Sequence, residues 1–215
     1  MISDLNIDQW YRRDVYHLFR DYDQPFFNIC ANVDVSCLRN LSRDRGVPFT
    51  IACHFFSLKA ANELESFRYR MRDERVVIHD RIHGASTLLL DNRSFKFYHF
   101  DFDENFDRFR AGASTAIAAA HRTPESMDNQ PERDDLIYYS VLPWISFTAF
   151  AHARQTTRHD AIPKIVFGKY FAEGERIKMP ISVEVHHALM DGVHVAEYFQ
   201  RLQEYLDAPM GPLGV

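Results

Sequence analysis

His186 and His187 lead into Asp191-Gly192 through the run His186-His187-Ala188-Leu189-Met190-Asp191-Gly192. A histidine changes charge near neutral pH and serves as a general base when it is held rigidly beside a reacting group. A histidine four residues before a carboxylate can also ligate zinc. The zinc reading finds little support, because the chain has no HExxH pattern, Gly192 interrupts any helix through the motif, and no second pair of ligands is spaced to complete a site. The plain alternative is that the histidines are satisfied core residues.

The flanking residues decide how rigid the motif can be. Upstream, Ile177, Met179, Ile181, Val183 and Val185 alternate with Lys178, Pro180, Ser182 and Glu184, the pattern of a half-buried strand running into the histidines. Downstream, Val195, Tyr198, Phe199, Leu202, Tyr205 and Leu206 recur at helical spacing, so an amphipathic helix is predicted to begin just past Gly192. A histidine between two packed elements keeps one ring orientation, as a base requires.

Elsewhere the pattern is mixed. Residues 3–20 read as a short helix or strand-to-helix segment, and 26–35 as a strand. Pro48 to Met71 reads as one helix carrying Ile51, Phe55, Leu58, Ala61, Leu64 and Phe67. Short β-type runs at 76–78, 86–90 and 94–102 suggest antiparallel hairpins, and the alanine-rich stretch 106–121 a helix. A polar loop with Pro124 and Pro131 covers 123–133. Strands are predicted within 136–150 and 163–171. No repeat is present, and the mixture is α+β.

A chain of 215 residues, 46% hydrophobic and 14% aromatic, buries roughly 70% of its unfolded surface, enough for one core, so residues 1–215 are expected to form a single domain. With 25 basic against 30 acidic residues, net charge −5, and no basic block, nucleic acid is not an expected partner. No apolar run approaches the ~18 residues of a membrane span, and the first ten residues hold two aspartates and no apolar run, so neither membrane nor export is expected. Cys30, Cys37 and Cys53 lack metal or CxxC spacing and read as buried thiols. Cytoplasmic localisation follows as an expectation.

HHxxxDG at a strand-to-helix junction resembles the signature of chloramphenicol acetyltransferases, coenzyme A-dependent acyltransferases. The similarity extends from Ser182 to Leu206, including His194-Val195-Ala196 and Arg201-Leu202-Gln203-Glu204. It recurs in Trp10-Tyr11-Arg12-Arg13, in Ser140-Val141-Leu142-Pro143-Trp144-Ile145-Ser146-Phe147, and in Gly168-Lys169-Tyr170 with Glu173-Gly174-Glu175-Arg176. Condensation domains of peptide synthetases share HHxxxDG but are about twice as long, and dihydrolipoamide acyltransferases carry lipoyl domains absent here.

The resemblance implies a two-layer α+β sandwich, a mixed and largely antiparallel sheet covered by helices. It also implies acetyl transfer from acetyl-coenzyme A, the co-substrate, to a hydroxyl of chloramphenicol, with no metal. His187 would be the general base, Ser140 the donor to the oxyanion, and Asp191 with Arg12 a brace for the catalytic loop, while His186 would be structural. Trp144, Lys169 and Tyr170 match positions near coenzyme A. Phe19, Phe27, Phe95 and Phe150 keep the aromatic lining of the acceptor pocket. Tyr138, His152 and Val166 replace an asparagine, a leucine and a threonine there. The family implies a homotrimer with active sites between subunits. Another alcohol or amine as acceptor, or a non-catalytic ligand-binding trimer on the same scaffold, are the alternative readings.

Overall fold

The computed structural model describes residues 1–123, 127, 130, 132–154 and 160–214. In chain order its elements are β1 (Ile2–Asp4), α1 (Arg13–Phe19), β2 (Phe26–Asp34), α2 (Ser36–Arg45), α3 (Phe49–Glu63), β3 (Tyr69–Arg72), β4 (Arg75–His79), β5 (His83–Leu89) and β6 (Phe95–Phe100). There follow α4 (Phe106–Arg122), β7 (Leu136–Leu142), β8 (Lys164–Gly168), β9 (Phe171–Glu173), β10 (Arg176–His186), α5 (Gly192–Asp207) and α6 (Met210–Leu213).

The main sheet has the order β2-β10-β8-β7-β5-β6, with β9 adding to β10. Only β8 with β7 and β7 with β5 run parallel among its described pairs, and the remaining neighbours are antiparallel. A separate antiparallel ribbon of β1, β4 and β3 stands beside it. Helices α2, α3 and α5 pack together against the sheet, and α4 packs on β6 and α3. This is the expected α+β sandwich.

Cross-strand partners share a sheet face, so the register sorts the residues. One face carries Val183, Ile165 and Tyr139, aligned across β10, β8 and β7 and buried under the helices. There the Ser57 hydroxyl on α3 joins the hydroxyls of Tyr139, 2.8 Å away, and Tyr198, 2.6 Å away, binding sheet, α3 and α5 together. The other face carries Ser182, Val166 and Ser140 in one row and Glu184, Lys164 and Tyr138 in the next. This face is also covered at its centre, with Ser182 and Val166 fully buried and Glu184 6% exposed, so β10 is buried on both faces rather than half-buried as its alternation suggests.

The alternation before His186 is strand β10, and the helix past Gly192 is α5. Two predicted elements differ, and one helix goes unpredicted. The helix expected through Met71 ends at Glu63, because the Asn62 amide turns to the backbone of Ile82, donating to its carbonyl at 3.0 Å and accepting its N–H at 2.8 Å. Phe67 then lies in a tight turn, stacked on Tyr198 at 4.9 Å, and the chain continues as β3. Helix α2 was not predicted, since its buried side is only Leu38 and Leu41; Gly46, at φ 67°, ends it. The strand expected over 136–150 stops at Leu142, before the Pro143-Trp144 turn. Pro124 and Pro131 of the expected polar loop lie outside the described residues.

Gly84 on β5 faces Phe100 on β6, and a Cβ there would stand 2.4 Å from Phe100 Cε2. Phe100 is buried against His54, Phe109 and Tyr139 and has no free direction to move. Gly84→Ala is therefore expected to destabilise the fold by about 1–3 kcal/mol, the usual cost of overpacking, read as a lowered thermal midpoint. An unchanged midpoint would show that the β5–β6 hairpin yields locally.

Candidate active site

The chain turns sharply at the end of β10. The carbonyl of His186 accepts the N–H groups of Leu189 at 3.0 Å and Met190 at 3.1 Å. Its Nδ1 accepts that of Ala188 at 3.2 Å. His186 is thereby used in closing the turn, which leaves His187 as the ring that projects. The His187 N–H donates to the Pro25 carbonyl at 2.8 Å, tying the turn to the segment before β2. The His187 ring lies flat on Phe19, centroids 4.0 Å apart and planes 8° apart, with Phe27 tilted against it at 4.8 Å. Two aromatic side chains thus restrict its rotation, and its side chain stays 35% exposed.

Asp191, extended at the start of α5, faces this ring, with Oδ1 3.1 Å from His187 Nδ1. The contact is electrostatic: the angle leaves Nδ1 without a hydrogen bond. Arg12, 3% exposed, grips both Asp191 oxygens, and its Nη2 also donates to the His187 carbonyl at 3.0 Å. Burial pushes the Asp191 carboxyl up, but the Arg12 hydrogen bond and charge outweigh it, so the group is held below its ordinary value. His194 is pushed down, first by burial and then by Arg12. The arrangement leaves His187 Nε2 as the nitrogen for a reacting group.

Ser140 lies on β7, partly buried, on the polar face of the sheet. It is in register with Val166, and Val166 with Ser182. Two strand spacings of about 4.8 Å and four residues of about 3.3 Å along β10 put the Ser140 Cα roughly 16 Å from that of His186. Within a single chain the Ser140 hydroxyl and the His187 ring therefore lie too far apart to touch one small group.

Beyond β7, Trp144 is 62% exposed on a turn fastened to the end of β8. The Lys169 N–H donates to the Ile145 carbonyl at 2.9 Å, and the Ser146 hydroxyl to the Lys169 carbonyl at 2.7 Å. Lys169 and Tyr170 join Phe49, Pro143, Val141 and Phe167 around a cleft of about 240 Å³. Tyr170 is wedged between the Phe49 ring and the Arg39 guanidinium, 5.4 Å above it. The walls are mostly apolar, and Lys169 is the cation in the lining.

The sequence profile of the chloramphenicol acetyltransferase family matches residues 2–203. The chain belongs to the chloramphenicol acetyltransferase family. It is 26% identical over 211 residues to a chloramphenicol acetyltransferase of Escherichia coli, covering 96% of this chain and 94% of that one. It is 24% identical over 207 residues to chloramphenicol acetyltransferase 3 of the same organism, covering 95% and 97%. A solved chloramphenicol acetyltransferase superposes with a TM-score of 0.85 at 26% identity over 96% of this chain and all of that one. A dihydrolipoamide acetyltransferase of Azotobacter vinelandii shares the fold, with a TM-score of 0.66 at 15% identity over 93% of this chain and 88% of that one. The protein is therefore an acyltransferase.

The residues that the resemblance assigns to an acceptor pocket are not all brought together. Phe19 and Phe27 touch the His187 ring. Tyr138, Ser140 and Val166 share one sheet face, where Val166 is fully buried and the other two are half-buried. Phe95, at the edge strand β6, is 49% exposed and packs on Phe97 alone among described rings. Phe150 packs edge-on to His152 at 4.8 Å, and His152 Nδ1 lies 3.4 Å from Glu184 Oε2.

Sequence reasoning missed the partners of that pair. Arg154 donates from Nε to Glu184 at 2.7 Å and from Nη1 to Asp160 at 3.2 Å, its guanidinium centred 3.3 Å over Phe26. Burial pushes the Glu184 carboxyl up, but His152 and Arg154 more than reverse this and hold it at about 2. These residues line a cavity of about 580 Å³ with Phe27 and His186. Glu184 had looked like any polar residue on the solvent face of a strand, and no spacing links it to Arg154. Among the described residues, no cluster of three or more His, Cys, Asp or Glu side chains is arranged to hold a metal, and no helix is long and apolar enough to cross a membrane.

Proposed function

We propose that the chain transfers the acetyl group of acetyl-coenzyme A to a hydroxyl of a small molecule, chloramphenicol being the leading acceptor. The observation that carries this reading is the His187 imidazole, stacked on Phe19 and braced through Asp191 and Arg12, with Nε2 left open. His187 Nε2 takes the proton of the acceptor hydroxyl as its oxygen attacks the thioester carbonyl. Charge developing on the carbonyl oxygen is met by the Ser140 hydroxyl. The tetrahedral species then collapses with loss of the coenzyme A thiolate, which recovers the proton from His187.

The roughly 16 Å between Ser140 and the histidine turn supports a homotrimer whose sites lie between subunits, base from one and oxyanion donor from the next. The largely apolar cleft lined by Lys169 and Tyr170, with Pro143 next to Trp144, suits the pantetheine arm, and the Lys169 ammonium suits phosphate. All three cysteines are free, although only Cys53 is buried as expected, Cys30 being half-buried and Cys37 exposed on α2; free thiols agree with a cytoplasmic setting. A second acceptor reading is favoured by the His152–Glu184–Arg154 network, since charge replaces apolar contact on the acceptor side. It selects an alcohol or amine more polar than chloramphenicol.

The test is thiol release from acetyl-coenzyme A, followed with a thiol reagent, with and without chloramphenicol. Chloramphenicol-dependent release is expected, and Ser140→Ala is expected to lower its kcat by about 10²–10³. Release independent of chloramphenicol in a protein that binds coenzyme A would turn the search to polar alcohols and amines. Failure to bind coenzyme A would remove the acyl-transfer reading itself.

A further inference from the structure

Asp191 caps α5 with an extended backbone, φ −116° and ψ 177°. Its own N–H, at the start of a helix, needs an acceptor, and in a capping box the side chain three residues on supplies one, ordinarily Glu or Gln. Here that position holds His194, whose Nδ1 accepts the Asp191 N–H at 2.9 Å. Nδ1 is occupied as an acceptor, so a neutral His194 carries its proton on Nε2. That Nε2–H donates to the Tyr11 hydroxyl, 2.9 Å away.

Tyr11 is the neighbour of Arg12, which holds the Asp191 carboxylate. Asp191 is therefore fixed twice by one N-terminal segment, its main chain through His194 and Tyr11, its side chain through Arg12. The rest of the turn closes on His186 without this help, through the N–H groups of Ala188, Leu189 and Met190. Only its Asp191 end, whose Oδ1 faces His187, depends on the second fastening.

We propose that His194, locked as the Nε2–H tautomer between Asp191 and Tyr11, is a positioning residue that sets the Asp191 carboxylate against the His187 ring. His194 is 9% exposed, and the charged and titratable groups facing it are Arg12, Asp191, Glu197 and Tyr11. Burial and Arg12 oppose its protonation, consistent with a neutral ring. The role in catalysis rests on His187 being the base. The hydrogen-bond arrangement does not.

The experiment is a two-bond ¹H–¹⁵N correlation spectrum of the histidines in the full-length protein at pH 7.5, beside the kinetics of His194→Gln, His194→Leu and Tyr11→Phe. The expected spectrum shows His194 neutral with the proton on Nε2. The signals of His187 should shift in His194→Leu and return in His194→Gln, which restores an ordinary capping box. With acetyl-coenzyme A and chloramphenicol, kcat should fall at least tenfold in His194→Leu and stay within threefold in His194→Gln, the KM for acetyl-coenzyme A changing little in either. An Nδ1–H or doubly protonated His194 overturns the proposal. So does a His187 signal unmoved in His194→Leu, or a His194→Gln protein as impaired as His194→Leu. Should His194→Leu fail to fold, Tyr11→Phe carries the same comparison: displaced His187 signals support the proposal and unmoved ones overturn it. A correct His194 spectrum with no acetyl transfer to any acceptor would sink the function reading while leaving the hydrogen-bond arrangement intact.

Discussion

Replacing His187 with alanine is expected to lower acetyl transfer by about 10²–10⁴, the usual contribution of a positioned general base. At 1.36 kcal/mol per factor of ten, that is roughly 3–5 kcal/mol of barrier. A neutral hydroxyl is a weak nucleophile, and Nε2 is the ring nitrogen placed to relieve it of its proton, because Nδ1 is buried beside Asp191 Oδ1, 3.1 Å away. The backbone anchors of position 187 do not involve the ring: the N–H bond to Pro25 and the carbonyl bond from Arg12 survive the substitution. The loss should therefore appear in kcat, with the fold and the KM for acetyl-coenzyme A retained.

The measurement is steady-state thiol release by the purified variant, with circular dichroism and size-exclusion chromatography to report fold and assembly. Activity within tenfold of the parent in a folded protein would remove His187 as the base. The stacked Phe19 ring would then need another account, since an arrangement that holds an imidazole flat at 4.0 Å serves no solvent-exposed side chain without a task.

The parts of this site that the sequence made legible are those governed by local periodicity. The alternation from Ile177 to Val185 can only be a strand with one apolar face, and the spacing from Val195 to Leu206 only a helix with one apolar side, so the junction at His186–Gly192 was fixed by its neighbours. Arg12 and Asp191, 179 positions apart, were joined by family resemblance and by nothing local. The segment after Asn62 shows the limit of periodicity. Leu64, Phe67 and Met71 continue a helical spacing, yet the Asn62 side chain is committed to Ile82, and the chain leaves the helix to build a second sheet. The Arg154–Glu184–His152 network was equally hidden, since the connection between β7 and β8 folds His152 and Arg154 back onto Glu184 of β10 and no motif spaces them. An acidic residue in a strand alternation reads as solvated until the structure shows the loop that covers it, as residues 152–154 cover Glu184.

Asp191→Asn is expected to cost the fold more than Arg12→Met, though both break the same pair. Arg12 is 3% exposed while the Asp191 side chain is 37% exposed. Removing the carboxylate strands a guanidinium that water cannot reach, whereas removing the guanidinium leaves a carboxylate that can rehydrate. Breaking a buried pair costs about 3–5 kcal/mol; the exposure of Asp191 places Asp191→Asn near 3 kcal/mol. Folded, the Asp191 carboxyl titrates below its ordinary value of 3.8, Arg12 outweighing the effect of burial. A depressed folded value means that the pair's stability is fully present above the unfolded value and lost as pH falls through the folded one. Urea unfolding should accordingly show a difference between parent and Asp191→Asn that is constant from pH 7 to about 5 and shrinks below 4, where a protonated Asp191 comes to resemble asparagine. A difference that persists unchanged at pH 3, or that is absent at pH 7, would mean that Arg12 is held by its bond to the His187 carbonyl and that the carboxylate serves the ring alone.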